Sequence, residues 1–504
     1  MKKIKLNSLM SLILFIFIAL FTAGPASNSA AAQNENLTPA AIFDELAHQS
    51  GNPTALVRMI TDNQEAWYAR WYVINSAKKS IDTTYFIVDK DVFGMSFLGL
   101  LLKKAKEGVK VRLMMDARGS KDLSHKLLGQ DYLQELLEVA GVEIKVYNPL
   151  SPNFIKMFGN PRHVVSSNHD KIIIVDNDYV MTGGRNIEMN YFVDFADFER
   201  AYMDADIILK GPAAAYEMQK AFDEEFKSHE VFKVKRDLFG NWKSRAQELE
   251  FARRAMEAHI CGMPALNGAA IDKNCARHAE ELSQYKKLRS YSGYSPFNGD
   301  HKYPFIMLDK HSMKGKRDDI TPGLCAMIRG AKSEIIIQNP YIVLTDEAMN
   351  ALRAANARGV KINIFTNSPM STDSTATQVF FSDEWAKMMK ELPNLRLFVC
   401  PGPQPLHAKV FVFDREVTVI GSYNMDPLSE QINSEIVSVV KAKNFALRMT
   451  LRILEAEKKS IEYKIEVSKN GGIRIINGPI NHSDPQKLEK LRKLKKLGFL
   501  RPLI

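Results

Sequence analysis

Little in this 504-residue chain points to metal or redox chemistry. It has four cysteines, with no Cys-x-x-Cys pair and no His-Glu-x-x-His anywhere. The usual spacings of zinc and dithiol motifs are therefore missing, and no metal or cofactor is expected. Charge of one sign is only slightly in excess. Lysine and arginine number 68 against 58 acidic residues, a net +10 that favours an anionic partner: a phospholipid surface, nucleic acid or a phosphate substrate.

Long apolar runs are lacking too, with one exception. Leu9–Phe21 covers 13 residues, short of the ~20 needed to cross a bilayer comfortably. Lys2, Lys3 and Lys5 precede it, and small residues ending in Ala30-Ala31-Ala32 follow. The pattern reads as a secretory signal peptide over residues 1–32, an uncleaved anchor being the alternative. The expected location is the periplasm or cell envelope, peripheral at the membrane. An oxidising compartment would let Cys261 and Cys275 form a disulfide, whereas Cys325 and Cys400 read as buried core thiols.

What the chain does contain is a repeat. HDKIIIVDNDYVMTGGRN begins at His169, and HAKVFVFDREVTVIGSYN begins at His407, 238 residues later. Lysine follows each histidine at plus 2 (Lys171, Lys409) and aspartate at plus 7 (Asp176, Asp414). Glycine comes at plus 14 (Gly183, Gly421) and asparagine at plus 17 (Asn186, Asn424). Duplication turns a pattern that is unremarkable alone into the main signal of the sequence.

The flanks repeat as well. β-branched runs such as VKVRLMM, VEIKVY, EIIIQ and VKINIF alternate with stretches of helical period, which predicts βαβ units. The expected fold is α/β: two sandwich lobes, 40–230 and 300–465, with mostly parallel central sheets and pseudo-two-fold symmetry. A helical insert and linker (231–299) separates them, and a basic tail (466–504) follows.

In each motif the histidine and lysine leave a strand on one face, and the asparagine returns to the same end. Two such half-sites bring together two imidazoles and two ammoniums, which suits a phosphodiester. Lysines and asparagines stabilise the non-bridging oxygens. One histidine attacks phosphorus, and the other protonates the departing alkoxide. Both half-sites lie in one chain, so catalysis needs no oligomer.

These residues resemble the phospholipase D superfamily, whose signature is His-x-Lys-x4-Asp in two copies. The resemblance covers most of 60–465. GGRN at 183–186, DADIILKGPA from Asp204, PYIV, TNS, LHAK, IGSYNMDP and NSEIV look most like the bacterial cardiolipin synthases of type C. The resemblance implies a transphosphatidylase that joins a phosphatidyl group to phosphatidylglycerol through a phosphohistidine. It implies His169 as nucleophile, His407 as general acid/base, and Asp204 (or Asp206) and Glu435 as acids orienting the opposite lobe's histidine. The signal peptide and the disulfide-bearing insert depart from that branch, leaving an exported hydrolytic phospholipase or a nuclease as alternatives.

The tail bears on the partner. Leu488, Leu491, Leu494 and Leu497 recur every third residue among seven basic residues in QKLEKLRKLKKLGFLRPLI. That is the pattern of a helix on an anionic bilayer, or of one packing its leucines on the second lobe. A phospholipid partner is expected over nucleic acid, since no basic-aromatic stacking surface is evident.

Overall fold

The computed structural model describes residues 37–123, 131–149, 161–228, 231–235, 247–263, 273–299, 301–312, 317–496 and 501. The segment read as a signal peptide, and Leu497, lie outside them. Among the described residues no helix is long and apolar enough to cross a membrane.

The first lobe carries β1 (Thr54–Ile60), β2 (Ser80–Tyr85), β3 (Lys110–Asp116), β4 (Val142–Tyr147), β5 (Ile172–Val175), β6 (Tyr179–Gly183), β7 (Asp206–Lys210) and β8 (Val231–Lys233). The second carries β9 (Lys302–Lys310), β10 (Glu334–Gln338), β11 (Lys361–Asn367), β12 (Leu395–Cys400), β13 (Val410–Phe413), β14 (Val417–Gly421), β15 (Glu435–Lys441), β16 (Ile461–Val467) and β17 (Ile473–Asn477). Their orders correspond: β8-β4-β3-β2-β5-β6-β7-β1 against β16-β12-β11-β10-β13-β14-β15-β9, with β17 added beside β16. Strand β1 pairs with β9, joining the two sheets.

The α/β class holds, but the sheets are mixed rather than mostly parallel. Among the described strands only β2-β3-β4 and β10-β11-β12 run parallel. The motif strands β5-β6 and β13-β14 are hairpins, because a parallel return needs a crossover far longer than their three-residue turns.

Both faces of the motif strands are covered, which explains their unbroken apolar runs. Ile173 and Val175 face the helical layer of the first lobe, while Ile172 and Ile174 enter a core between the two sheets. Phe411 and Phe413 against Val410 and Val412 repeat the division in the second lobe. Helices Pro212–Phe226 and Lys443–Glu457 add Met218, Phe222, Phe445 and Met449 to the shared core. The first described helix, Pro39–Gln49, packs Ile42, Phe43 and Ala47 on the second lobe, although β1, which follows it, belongs to the first.

The insert is helical, and Leu249, Ala252 and Met256 of its Glu248–Ile260 helix enter the first lobe's core. Gly99 permits the close crossing, since a Cβ there would lie 2.2 Å from the Leu249 carbonyl oxygen.

The expected Cys261–Cys275 disulfide is absent. Cys275 Sγ lies 3.7 Å from the Phe251 carbonyl oxygen, whereas Cys261 caps the same helix at its far end. From 251 to 261 a helix rises about 15 Å, well beyond disulfide reach. Thiol titration of denatured, unreduced protein should therefore count four thiols, and a cross-linked Cys261–Cys275 peptide would contradict this arrangement.

In the tail, helix Pro485–Leu494 buries Leu491 and half-buries Leu488 and Leu494. Lys495 pairs with Asp383 at 2.5 Å and Arg501 with Glu384 at 2.6 Å, both acids lying on the Thr375–Glu391 helix. The leucine stripe packs on the second lobe, leaving Arg492 and Lys493 outward.

Candidate active site

Each motif histidine sits just before its strand and is clamped by the other lobe. The His169 N–H donates to the Ser434 carbonyl at 3.1 Å, and the Ser434 N–H to Ser167 at 3.0 Å. In the second copy, the His407 N–H donates to the Met203 carbonyl at 2.7 Å, and the Met203 N–H to Pro405 at 2.8 Å. The residue after each bridge is an acid. Glu435 places both carboxylate oxygens 3.0 Å from His169 Nδ1, and Asp204 Oδ2 lies 2.8 Å from His407 Nδ1. Each imidazole thus takes its carboxylate from the opposite lobe.

The two acids are seated differently. Glu435 also accepts hydrogen bonds from Ser422 Oγ at 2.5 Å and Ser429 Oγ at 2.6 Å. Gly184 occupies the position matching Ser422, and a Cβ there would lie 2.1 Å from Asp204 Oδ1. Asp206, the alternative to Asp204, does not reach the histidine. It is buried against Arg70 at 2.8 Å and Arg185 at 3.2 Å, and Arg185 also holds the Asp204 carbonyl at 2.8 Å.

The lysines lie beneath their own histidines. Lys171 Nζ donates to the His169 carbonyl at 2.6 Å and Lys409 Nζ to that of His407 at 2.5 Å. Lys409 Nζ is also 3.0 Å from His407 Nε2. Asn186 Nδ2 donates to Tyr191 Oη at 3.1 Å, while buried Asn424 leaves its amide oxygen without a hydrogen bond. Tyr191, Tyr202 and Tyr341 surround His407 with ring centroids 5.2, 5.6 and 6.4 Å away, and Phe86 meets His169 edge-on at 5.1 Å. A cavity of about 250 Å³ borders Tyr202, Asp204 and Ala408.

Burial dominates the electrostatics. It lowers His169 to about 4 against the pull of Glu435, with Lys171 adding to the fall. Burial lowers His407 too, helped by Lys409 and opposed by Asp204. It brings Lys171 to about 7 and Lys409 to about 8. Asp204 resists its own burial because His407 bonds it, and it falls to about 2. Lys409 acts on both His169 and Lys171, so the half-sites share one field. A phosphodiester anion entering here favours the charged forms of both lysines.

Asp176 and Asp414 are not brought to this centre. They sit at the opposite ends of β5 and β13, in turns with φ of 54° and 49°. Each residue that follows, Asn177 or Arg415, also has positive φ, as the type I′ turns of tight hairpins require. The Asp176 carboxylate accepts the N–H groups of Lys78, Lys79 and Ser80 at 2.6–2.9 Å. Asp414 does the same for Lys332, Ser333 and Glu334 at 2.7–3.2 Å. Asp176→Ala and Asp414→Ala should each cost about 1–3 kcal/mol of stability while leaving kcat within about twofold. A large kcat loss in well-folded protein would return these residues to the chemistry.

Paired half-sites on two matched sheets define a phosphodiester-processing enzyme of the phospholipase D type. The chain belongs to the family described as "Cardiolipin synthase, PLD-like domain", which matches residues 72–226 and 324–455. It is 26% identical over 425 residues to cardiolipin synthase C of Escherichia coli K12, covering 78% of this chain and 83% of that one. An uncharacterised protein of Helicobacter pylori strain 26695 is 24% identical over 467 residues, 86% of each chain. Among solved structures, the phosphatidylserine synthase of Haemophilus influenzae Rd KW20 superposes with a TM-score of 0.60 at 13% identity, over 92% of this chain and all of that one.

Proposed function

We infer that the protein transfers a phosphatidyl group between phospholipids, as a cardiolipin synthase-like transphosphatidylase. The observation that carries this reading is the pair of buried imidazoles, each held at Nδ1 by a carboxylate of the opposite lobe. In the proposed cycle each carboxylate accepts the Nδ1–H of its imidazole and leaves Nε2 to react with substrate.

Neutral His169 forms an Nε2–P bond as the ester P–O bond breaks. His407 delivers its proton to the departing alkoxide. The acceptor hydroxyl then gives a proton back to His407 and displaces His169 from phosphorus. Lys171, Lys409 and the two asparagines offset charge on the non-bridging oxygens. Asp204, whose acidity His407 enhances, stabilises the imidazolium. A lipid alcohol as acceptor gives transfer, and water gives hydrolysis.

The exposed basic residues of the tail support work at an anionic bilayer. Purified protein with labelled phosphatidylglycerol in liposomes, with and without phosphatidylethanolamine, tests the reading. Cardiolipin is the expected product, phosphatidic acid alone would make the protein a hydrolase, and nucleic-acid cleavage without any lipid product would refute a lipid role.

The pH profile follows from the charges. His169 must be neutral and His407 protonated, and burial lowers both from the ordinary 6.5. Plotted against pH, kcat/KM should rise through about 4 as His169 loses its proton. It should peak below 6.5 and fall as His407, then Lys171 at about 7 and Lys409 at about 8, discharge. The alkaline limb of kcat should lie higher, because bound phosphate favours each cationic form. Coincident alkaline limbs in kcat and kcat/KM would oppose this assignment.

A further inference from the structure

At the seam between the lobes, three side chains converge that the catalytic cycle does not use. Glu224 comes from the Pro212–Phe226 helix of the first lobe, Asp309 from β9, and His311 from just beyond it. Their ligand atoms all lie within 4.8 Å of one another. Asp309 is 3% exposed, and it and His311 Nε2 face each other at 3.2 Å without satisfying hydrogen-bond geometry, so neither carboxylate oxygen nor the imidazole nitrogen makes a well-formed hydrogen bond.

The spacing is informative. His311 Nε2 lies 3.2 Å from Asp309 Oδ2 and 3.4 Å from Glu224 Oε2. A tetrahedral ion with bonds of about 2.1 Å holds its ligand atoms about 3.4 Å apart. Arg317 reaches Glu224 at Oε2 (2.8 Å) and Oε1 (3.0 Å). Once an ion takes Oε2, the Oε1 bond remains and orients the ligand.

We propose that Glu224, Asp309 and His311 form a structural divalent-cation site that fastens the first lobe to β9. One imidazole nitrogen and two carboxylates suit zinc or manganese, with water completing the shell. The two carboxylates offset the ion's charge, with Arg317 remaining as a further cation on Glu224. The site is separate from the catalytic histidines, whose Nδ1 atoms are bonded to Asp204 and Glu435.

The test uses full-length protein stripped with a chelator and titrated with Zn²⁺ or Mn²⁺ alone, followed by calorimetry and thermal unfolding. One ion per chain should bind, with a melting temperature raised by a few degrees at about a hundredfold excess over Kd. His311→Gln and Glu224→Gln should each weaken binding at least about tenfold and remove most of that rise. Asp309→Asn should do the same, but its buried site makes the other two variants the safer readouts. Stripped protein should turn over a soluble phosphodiester normally below its unfolding temperature. No stoichiometric binding, binding unchanged in His311→Gln, or turnover lost on chelation would each overturn the proposal.

Discussion

His169→Ala and His407→Ala are each expected to lower kcat about 10³–10⁶-fold, because in the proposed cycle nucleophile and acid act as a unit. Their roles separate on a substrate with a good leaving group such as nitrophenolate, which needs no proton to depart. His407→Ala should then release nitrophenol in a single burst and hold the phosphoryl group on His169, recoverable after an alkaline quench. His169→Ala should show no burst. A burst in His169→Ala and none in His407→Ala would exchange the roles. Near-normal turnover in either variant would end the shared-site reading.

Asp204→Asn and Glu435→Gln should each cost about 10²–10⁴ in kcat, since an amide at Nδ1 favours the wrong tautomer and cannot stabilise an imidazolium. Double-mutant cycles reveal the crossing between lobes. Asp204→Asn should add little to His407→Ala, and Glu435→Gln little to His169→Ala, whereas additive penalties within either pair would contradict the contacts at 2.8 and 3.0 Å. Unfolding midpoints accompany the kinetics, because removing a buried charge partner also destabilises the fold.

How much of this was legible without coordinates depended on whether a feature repeats along the chain. The offsets at 169 and 407 revealed the half-sites and their number, since duplication preserves spacing. Those offsets also grouped Asp176 and Asp414 with the histidines, although seven residues of strand and turn carry them to the other end of the sheet. Strand direction was less visible. A run such as Ile172–Val175 reads the same in a parallel or an antiparallel sheet when both its faces are buried. The short Asp176–Asp178 turn was the better guide, and it argued for a hairpin.

Features from unrelated loops were not legible. Tyr191, Tyr202 and Tyr341 meet around His407 from both lobes with no common spacing to announce them. Ser422 did leave a trace, as the residue standing where the first copy has Gly184. Comparing the copies position by position for differences, as well as identities, would have marked it. The cysteine pairing failed for another reason: a short separation in sequence says little once a rigid helix spans part of it.

The join between β1 and β9 also has consequences while the chain is being made. Strand β9 leaves the ribosome about 240 residues after β1, some 12–50 s later at ordinary synthesis rates. Throughout that interval the nascent first lobe presents an open edge, and the Pro39–Gln49 helix has no surface to rest on. An open edge accepts a strand from any source, including β9 of another nascent copy on the same message. Exchange of second lobes between two chains would leave every histidine facing its acid, because each centre needs one lobe of each kind and is indifferent to which chain supplied it. Crowded synthesis can thus yield an intertwined dimer with both centres whole, and dilution alone would not return it to monomers.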